Sequence, residues 1–521
     1  MRAMTIFSSM ILFGLLILGI GDLRGEEDPT RPIRDWPMYG RDLRHSFSNP
    51  HSLINPRNVA TLQPAWHFKT QDVVSASPAV VDGVVFVGSW DGYFYAIDAI
   101  EGSLRWSFQV DCQNTVIPIP PQCLAPNQVQ PDRFLGDGGI ITSSATVVDH
   151  RVYFAAGKTV YSLNARNGRL RWKTVICGNP DNPRCAMDAA DPNRIFSSPA
   201  ILDNNLFIGH SVDGVNGYRG GIEALDIETG KIRWRFEVDP KLDTHGEPLV
   251  GPNGHLQAYN RGCGSVWSSA AVDVAARLVF LGTADCDNQP TPPYHNAVIA
   301  LEADTGRVQW VFRPQSQNSC DYDFGASANI INFRGAHYLG IGGKDGTYYL
   351  LKRRTHNPRG ELKWATNLVF GGDEGGFIGS TAFDGQRVFG ATAIGDGRLD
   401  GSGRFCELSN PRDTPFQEPS MHALGVDGGR VLWQQNRNHS AAPTTVSNGV
   451  VFSGLLGLEL PFGMNAFALK AYDAESGESL ASFPMPGSVN SAAVPLGAMV
   501  FVGSGTTIDG SGSGVHALAL P

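Results

Sequence analysis

The chain has 521 residues, 42% of them hydrophobic and 17% charged, with a net charge of −9. That apolar content excludes a disordered chain, and the absence of any basic run excludes the electrostatic footprint of a nucleic-acid binder. The length exceeds that of one ordinary compact domain unless the chain is built of repeats that pack mainly on their neighbours.

In chain order the first element is a targeting segment. Met1-Arg2 supplies a positive start, Ile6 to Ile20 is an uncharged apolar run, and Asp22, Arg24, Glu26 and Glu27 follow. Such a run suits the core of a signal peptide better than a membrane span, which needs about 20 residues. Residues 1–25 are therefore expected to be a signal peptide, with an uncleaved anchor as the alternative because a small-x-small cleavage site is missing. The mature protein is expected to be periplasmic or secreted, with no stable membrane span. An even number of cysteines, eight, fits an exported chain with disulfides. Cys112 with Cys123, and Cys177 with Cys185, would close short local loops. Neither C-x-x-C-H nor a zinc-type C-x-x-C pair occurs, so no c-type haem is attached to this chain.

From residue 36 onward the chain repeats itself. Residues 77–108 read S-P-A-V-V-D-G-V-V-F-V-G-S-W-D-G-Y-F-Y-A-I-D-A-I-E-G-S-L-R-W-S-F. These are alternating β runs separated at Asp82-Gly83, Asp91-Gly92 and Glu101-Gly102, and Asp-Gly between such runs marks a hairpin. Four antiparallel strands make one propeller blade. The pattern returns at 144–172, 198–234 and 269–310, and later copies end at Trp364, Trp433 and, with Phe replacing Trp, Phe483. Residues 491–519 supply three strands and stop. The missing fourth is L-Q-P-A-W-H-F near the other end, with Trp66 in the usual slot. The expected fold is all-β: residues 36–521 form an eight-bladed β-propeller of four-stranded antiparallel blades, its ring closed by strands from both termini. The recurring Trp is expected to pack between blades. Surplus length falls in a few long connections, including 109–140, 238–265 and 396–420, where a site would form on a rigid scaffold.

The phrases A-L-D-I-E-T-G-K-I-R-W and V-V-D-G-V-V-F-V-G-S-W-D-G resemble the repeats of quinoprotein dehydrogenases, propellers that carry pyrroloquinoline quinone (PQQ). C-D-Y-D-F-G-A-S (320–327), I-G-G-K-D-G-T-Y-Y-L-L (341–351) and V-W-S-S-A-A-V-D (266–273) are similar to the polyvinyl-alcohol-dehydrogenase-like branch. The resemblance implies PQQ-dependent oxidation of an alcohol, secondary and polymeric alcohols included. It implies PQQ and Ca²⁺ as cofactors and a separate electron acceptor such as a cytochrome c. It also implies roles. Trp267 would floor the flat quinone, Lys344 would contact its oxygens, Asp323 would be the general base, and Asp285 and Asp213 would hold calcium. Each residue has a plainer role open to it: core packing for Trp267, a solvated turn for Lys344, a turn cap for Asp323, exposed loop carboxylates for the last two.

This sequence also departs from the family's pattern. No two cysteines are adjacent, Ala284 stands where a glycine is expected before the metal ligand, and Ser75 stands where an acidic residue is common. A non-catalytic exported propeller that binds protein or polymer is the alternative reading.

Overall fold

Alternating apolar strands joined by Asp-Gly and Thr-Gly turns can bury both faces only by stacking sheet on sheet, and the computed structural model shows that outcome. It describes residues 34–110, 140–180, 182, 185, 191–212, 218–239, 264–284, 294–314, 321–369, 371–372, 375–393, 419–457, 459–460, 463–464, 467–506 and 510–521. Blade 1 consists of strands A to D at Ala79–Val81, Val84–Gly88, Tyr93–Asp98 and Leu104–Gln109, paired antiparallel in sequence order. Blades 2 to 7 repeat this arrangement, their A strands starting at Thr146, Ala200, Ala271, Asn329, Ala382 and Thr445. Blade 8 takes strands Val494–Leu496, Met499–Ser504 and Gly514–Ala519 from the C-terminal end and Gln63–Lys69 from the N-terminal end, with Trp66 opposite Ala517. The ring of eight blades is closed as the sequence implies.

The blade-to-blade joints explain the repeated tryptophans. Trp106 donates its indole N–H to the Ala165 carbonyl of blade 2 (3.0 Å) and lies flat on Gly168, where a Cβ would come within 2.6 Å of the ring. Trp66, Trp172, Trp234, Trp364 and Trp433 repeat both contacts on the next blade. Trp310 keeps the hydrogen bond to Arg353 at 3.2 Å over a looser Gly360. Blade 7 corrects the sequence reading. The residue in the tryptophan slot is Ala481, opposite Ala471, whereas Phe483 sits two residues later, opposite Leu469. The reason is topological. In blade 8, strands C and D come from opposite ends of the chain, so no C–D hairpin exists to supply the docking glycine and carbonyl. The short 3₁₀ turn Val59–Thr61 packs there against strand D of blade 7 instead.

Around the axis, serines stitch the A strands together. The backbone N–H groups of Ser77, Ser144, Ser198, Ser269 and Ser327 each donate to the hydroxyl of the corresponding serine one blade on, ending at Ser380, at 2.8–3.0 Å. Ala492 of blade 8 donates to Ser77 in the same way. Blade 7 has Pro443 at this position, which offers neither group. On the A–B-turn side of these serines the segment from Trp36 to Asn49 lies across the inner rim. It hydrogen-bonds to Val80, Val147, Val272, Ile330, Phe383 and Val446 in turn. All the long connections run D to A or B to C, so they leave the strands at the opposite end.

Candidate active site

Three of the residues singled out in the sequence meet at that loop-rich end. Trp267 precedes strand A of blade 4, Asp323 precedes strand A of blade 5, and Lys344 sits in the B–C turn of blade 5. The indole N–H of Trp267 donates to Asp323 Oδ2 at 2.9 Å. Lys344 Nζ stands 6.0 Å from the centre of the Trp267 ring, on the outer edge of cation–π range. The Lys344 backbone N–H donates to the Asp323 carbonyl at 2.9 Å, so hairpin and connection are bound to each other.

One neighbour allows the indole to lie where it does. A Cβ built on Gly325 would sit 1.7 Å from Trp267 Cη2, so only glycine lets the ring rest on the backbone there. Trp267 is half-buried, whereas Val266 and Ser268 on either side are buried. A partly open flat ring with an ammonium beside it is a fit for a flat anionic group.

A second carboxylate joins the site that the sequence reading did not single out. Lys344 Nζ donates to Asp321 Oδ2 at 2.6 Å, and Asp321 is 33% exposed against 5% for Asp323. Asp321 has φ +52°, a left-handed conformation that a non-glycine residue adopts uncommonly. The spacing D-x-D was the only signal available: two residues apart on an irregular strand entry, either aspartate could have been the one to meet Lys344.

Asp213 and Asp285 lie outside the described residues, and among the described residues no group of three or more His, Cys, Asp or Glu side chains is placed to hold a metal. The segments that lead to them are described. Val212 N–H donates to Ser265 Oγ at 3.3 Å, and Ala284 N–H donates to the Ser265 carbonyl at 2.9 Å. Both hairpin bases therefore meet at the residue two before Trp267. Farther out, Cys177 and Cys185 are joined as expected, with Cα atoms 5.8 Å apart, and Lys158 Nζ donates to the Cys185 carbonyl at 3.1 Å. Cys112 and Cys123 lie outside the described residues.

The family description "Glucose/ethanol/alcohol dehydrogenase, beta-propeller domain" of the PQQ family matches residues 36–359, more than half of the chain. The chain belongs to the PQQ-dependent alcohol dehydrogenase β-propeller family. Among curated relatives, the dehydrogenase subunit of a quinone-dependent alcohol dehydrogenase from Gluconobacter oxydans is 25% identical over 369 residues, covering 64% of this chain and 46% of that protein. A polyvinylalcohol dehydrogenase from a Pseudomonas species is 23% identical over 424 residues, covering 76% of this chain and 58% of that one. The chain thus spans about half the length of the curated relatives it matches. The quinohemoprotein alcohol dehydrogenase of Comamonas testosteroni has the same fold, with a TM-score of 0.68 over 96% of this chain and 83% of that one at 19% identity. Among the described residues no helix is long and apolar enough to cross a membrane.

Proposed function

We propose that this protein oxidises an alcohol at the loop-rich end of the propeller, with PQQ seated on Trp267. The observation that carries the reading is the convergence of Trp267, Lys344, Asp321 and Asp323 from three separate segments of two neighbouring blades. PQQ supplies, when bound, a two-electron acceptor that no side chain can provide. Lys344, a buried positive charge beside the Trp267 ring, would help hold the quinone and offset negative charge on it. Asp323 orients the platform, since its carboxylate accepts the Trp267 indole N–H. The family resemblance puts the general base at Asp323. The geometry favours Asp321 for that task, because it is the more open carboxylate and its Oδ2 is held on Lys344. Either aspartate would take the hydroxyl proton as the carbon is oxidised.

Calcium held by Asp285 and Asp213 belongs to the same proposal, as do a separate acceptor such as a cytochrome c, an exported location, and removal of residues 1–25. The presence of a polyvinylalcohol dehydrogenase among the relatives supports polymeric as well as small alcohols as substrates.

The test is dye-linked alcohol oxidation by protein loaded with PQQ and Ca²⁺, with PQQ affinity read from quenching of tryptophan fluorescence. Asp321→Asn should lower turnover by about 10²–10⁴-fold, the usual worth of a general base, at near-parent PQQ affinity. Asp323→Asn should instead weaken PQQ binding by loosening Trp267. Parent-like turnover in Asp321→Asn together with the full loss in Asp323→Asn returns the base to Asp323. A parent protein with no saturable, calcium-dependent PQQ binding supports the scaffold reading instead.

A further inference from the structure

Lys344 is a long side chain on a hairpin tip, and such a group costs entropy to hold still. The tip is braced from below. Asp345 Oδ1 accepts the Thr347 backbone N–H at 3.0 Å, Asp345 Oδ2 accepts the Tyr349 hydroxyl, and the Asp345 carbonyl accepts Asn367 Nδ2 at 3.2 Å. Gly346, at φ +77°, completes the turn with a bond from its N–H to the Gly343 carbonyl at 3.0 Å.

The same construction occurs in blade 1. Asp91 accepts the Tyr93 N–H at 2.9 Å and the Tyr95 hydroxyl at 2.8 Å, followed by Gly92 at φ +79°. There the residue ahead of the aspartate is Trp90, whose indole donates to Ser75 Oγ at 2.8 Å. Two blades that stand opposite each other in the ring thus use one device, an aspartate clasped by the tyrosine four residues on, to present two different side chains. The clasp belongs to the turn, and the preceding residue is what it presents.

We propose that Asp345 and Tyr349 are positioning residues for Lys344, clasping the hairpin so that the ammonium is held against Asp321 and beside the Trp267 ring. This rests on Lys344 being the cation that faces the cofactor, while the clasp itself can be examined without any cofactor. A cleft of about 400 Å³, lined by Phe312, Arg313, Thr347, Tyr349, Leu362 and Asn367, reaches Asp345. Burial, above all, pushes the Asp345 carboxyl up to about 6, so at neutral pH the clasp holds a buried anion. A hydrogen bond to such a charge is stronger than one between neutral groups.

The experiment is competitive acetylation of lysines in the full chain without PQQ, read by mass spectrometry. Lys158, anchored on the Cys185 carbonyl in blade 2, is the internal reference. Tyr349→Phe should raise the Lys344 rate by about tenfold, the equivalent of losing one hydrogen bond to a charged acceptor, with Lys158 unchanged. Asp345→Asn should raise it as well, and Tyr95→Phe, which opens the clasp of blade 1, should leave it alone. A parent-like Lys344 rate in both blade 5 variants overturns the proposal, as does an equal rise at Lys158. In the presence of PQQ, Tyr349→Phe should lose affinity, and adding it to Lys344→Met should cost nothing more, because both act through one contact. Failure of the parent to bind PQQ would count against the proposed function and leave the acetylation result standing.

Discussion

Gly325 decides how the Trp267 ring lies. Its φ falls outside the left-handed region, so no backbone conformation calls for glycine there, and the whole requirement is the close approach of the indole. Gly325→Ala would force the ring off the backbone or the backbone away from the ring. Overpacking of this kind costs about 1–3 kcal/mol. The expected outcome is a folded, less stable protein in which PQQ quenches tryptophan fluorescence with clearly weakened affinity. Parent-like affinity would show that the ring is not the platform. At this scale the sequence was informative for residue type and poor for residue choice. Trp267 stands outside the regular tryptophan series and could be singled out, whereas Asp321 and Asp323 could be separated only by seeing which one meets the indole and which one meets Lys344.

Between neighbouring blades the recurrent contact is a tryptophan docked on a glycine, and its two components can be separated. Gly168 and Gly83 have nearly the same backbone, with φ +68° and +72°. A Cβ at Gly168 would meet the Trp106 ring at 2.6 Å, whereas one at Gly83 would meet nothing within 4 Å. Both alanine variants bear the same left-handed strain, about 1–2 kcal/mol. Gly168→Ala should lose a further 1–3 kcal/mol or so through the ring. Chemical denaturation of the two variants gives the difference directly, and equal losses would mean the dock contributes nothing beyond backbone strain. In blades 1 to 6 the sequence carries a glycine four residues ahead of the tryptophan. It could not show that the glycine serves the tryptophan of the preceding blade. The misplacement of Phe483 has the same origin: an aromatic two residues from the slot looks equivalent until the register puts Ala481 there.

For the molecule as a whole, buried histidines set the acid limit. His45, His295, His422, His439 and His516 are each held down to about 4 from the usual 6.5, by burial in every case. They lie in the segment across the axis and in blades 4, 6 and 8 and the connection into blade 7. Because their folded values are depressed, the unfolded chain takes up protons between pH 6.5 and 4 that the folded chain refuses. Stability is therefore fully present above pH 6.5 and lost as the pH falls through that window, by at most about 3 kcal/mol for each group at 1.36 kcal/mol per pH unit. Asp345, raised from 3.8 to about 6, works in the opposite direction, as do Asp35, Asp91 and Glu237, whose carboxyls burial also raises. Melting temperatures measured from pH 7 down to 4 should fall steadily below 6.5. A flat profile over that range would mean that these imidazoles are already protonated in the folded state.

The blade count, the four-stranded pattern and closure by both ends of the chain were determined by the sequence itself. Each rests on local periodicity and turn chemistry, which a strand carries wherever it packs. What depended on register and on contacts between distant segments was decided only by the tertiary structure. The path of Trp36 to Asn49 across the inner rim and the pairing of Lys344 with Asp321 have no periodic signature, and the serine that recurs two residues ahead of the A strands does not by itself reveal its partner on the next blade. They arise because eight similar units, once closed into a ring, bring the same end of every A strand to one axis. Residues just ahead of those strands then become neighbours, as Trp267 and Asp323 do.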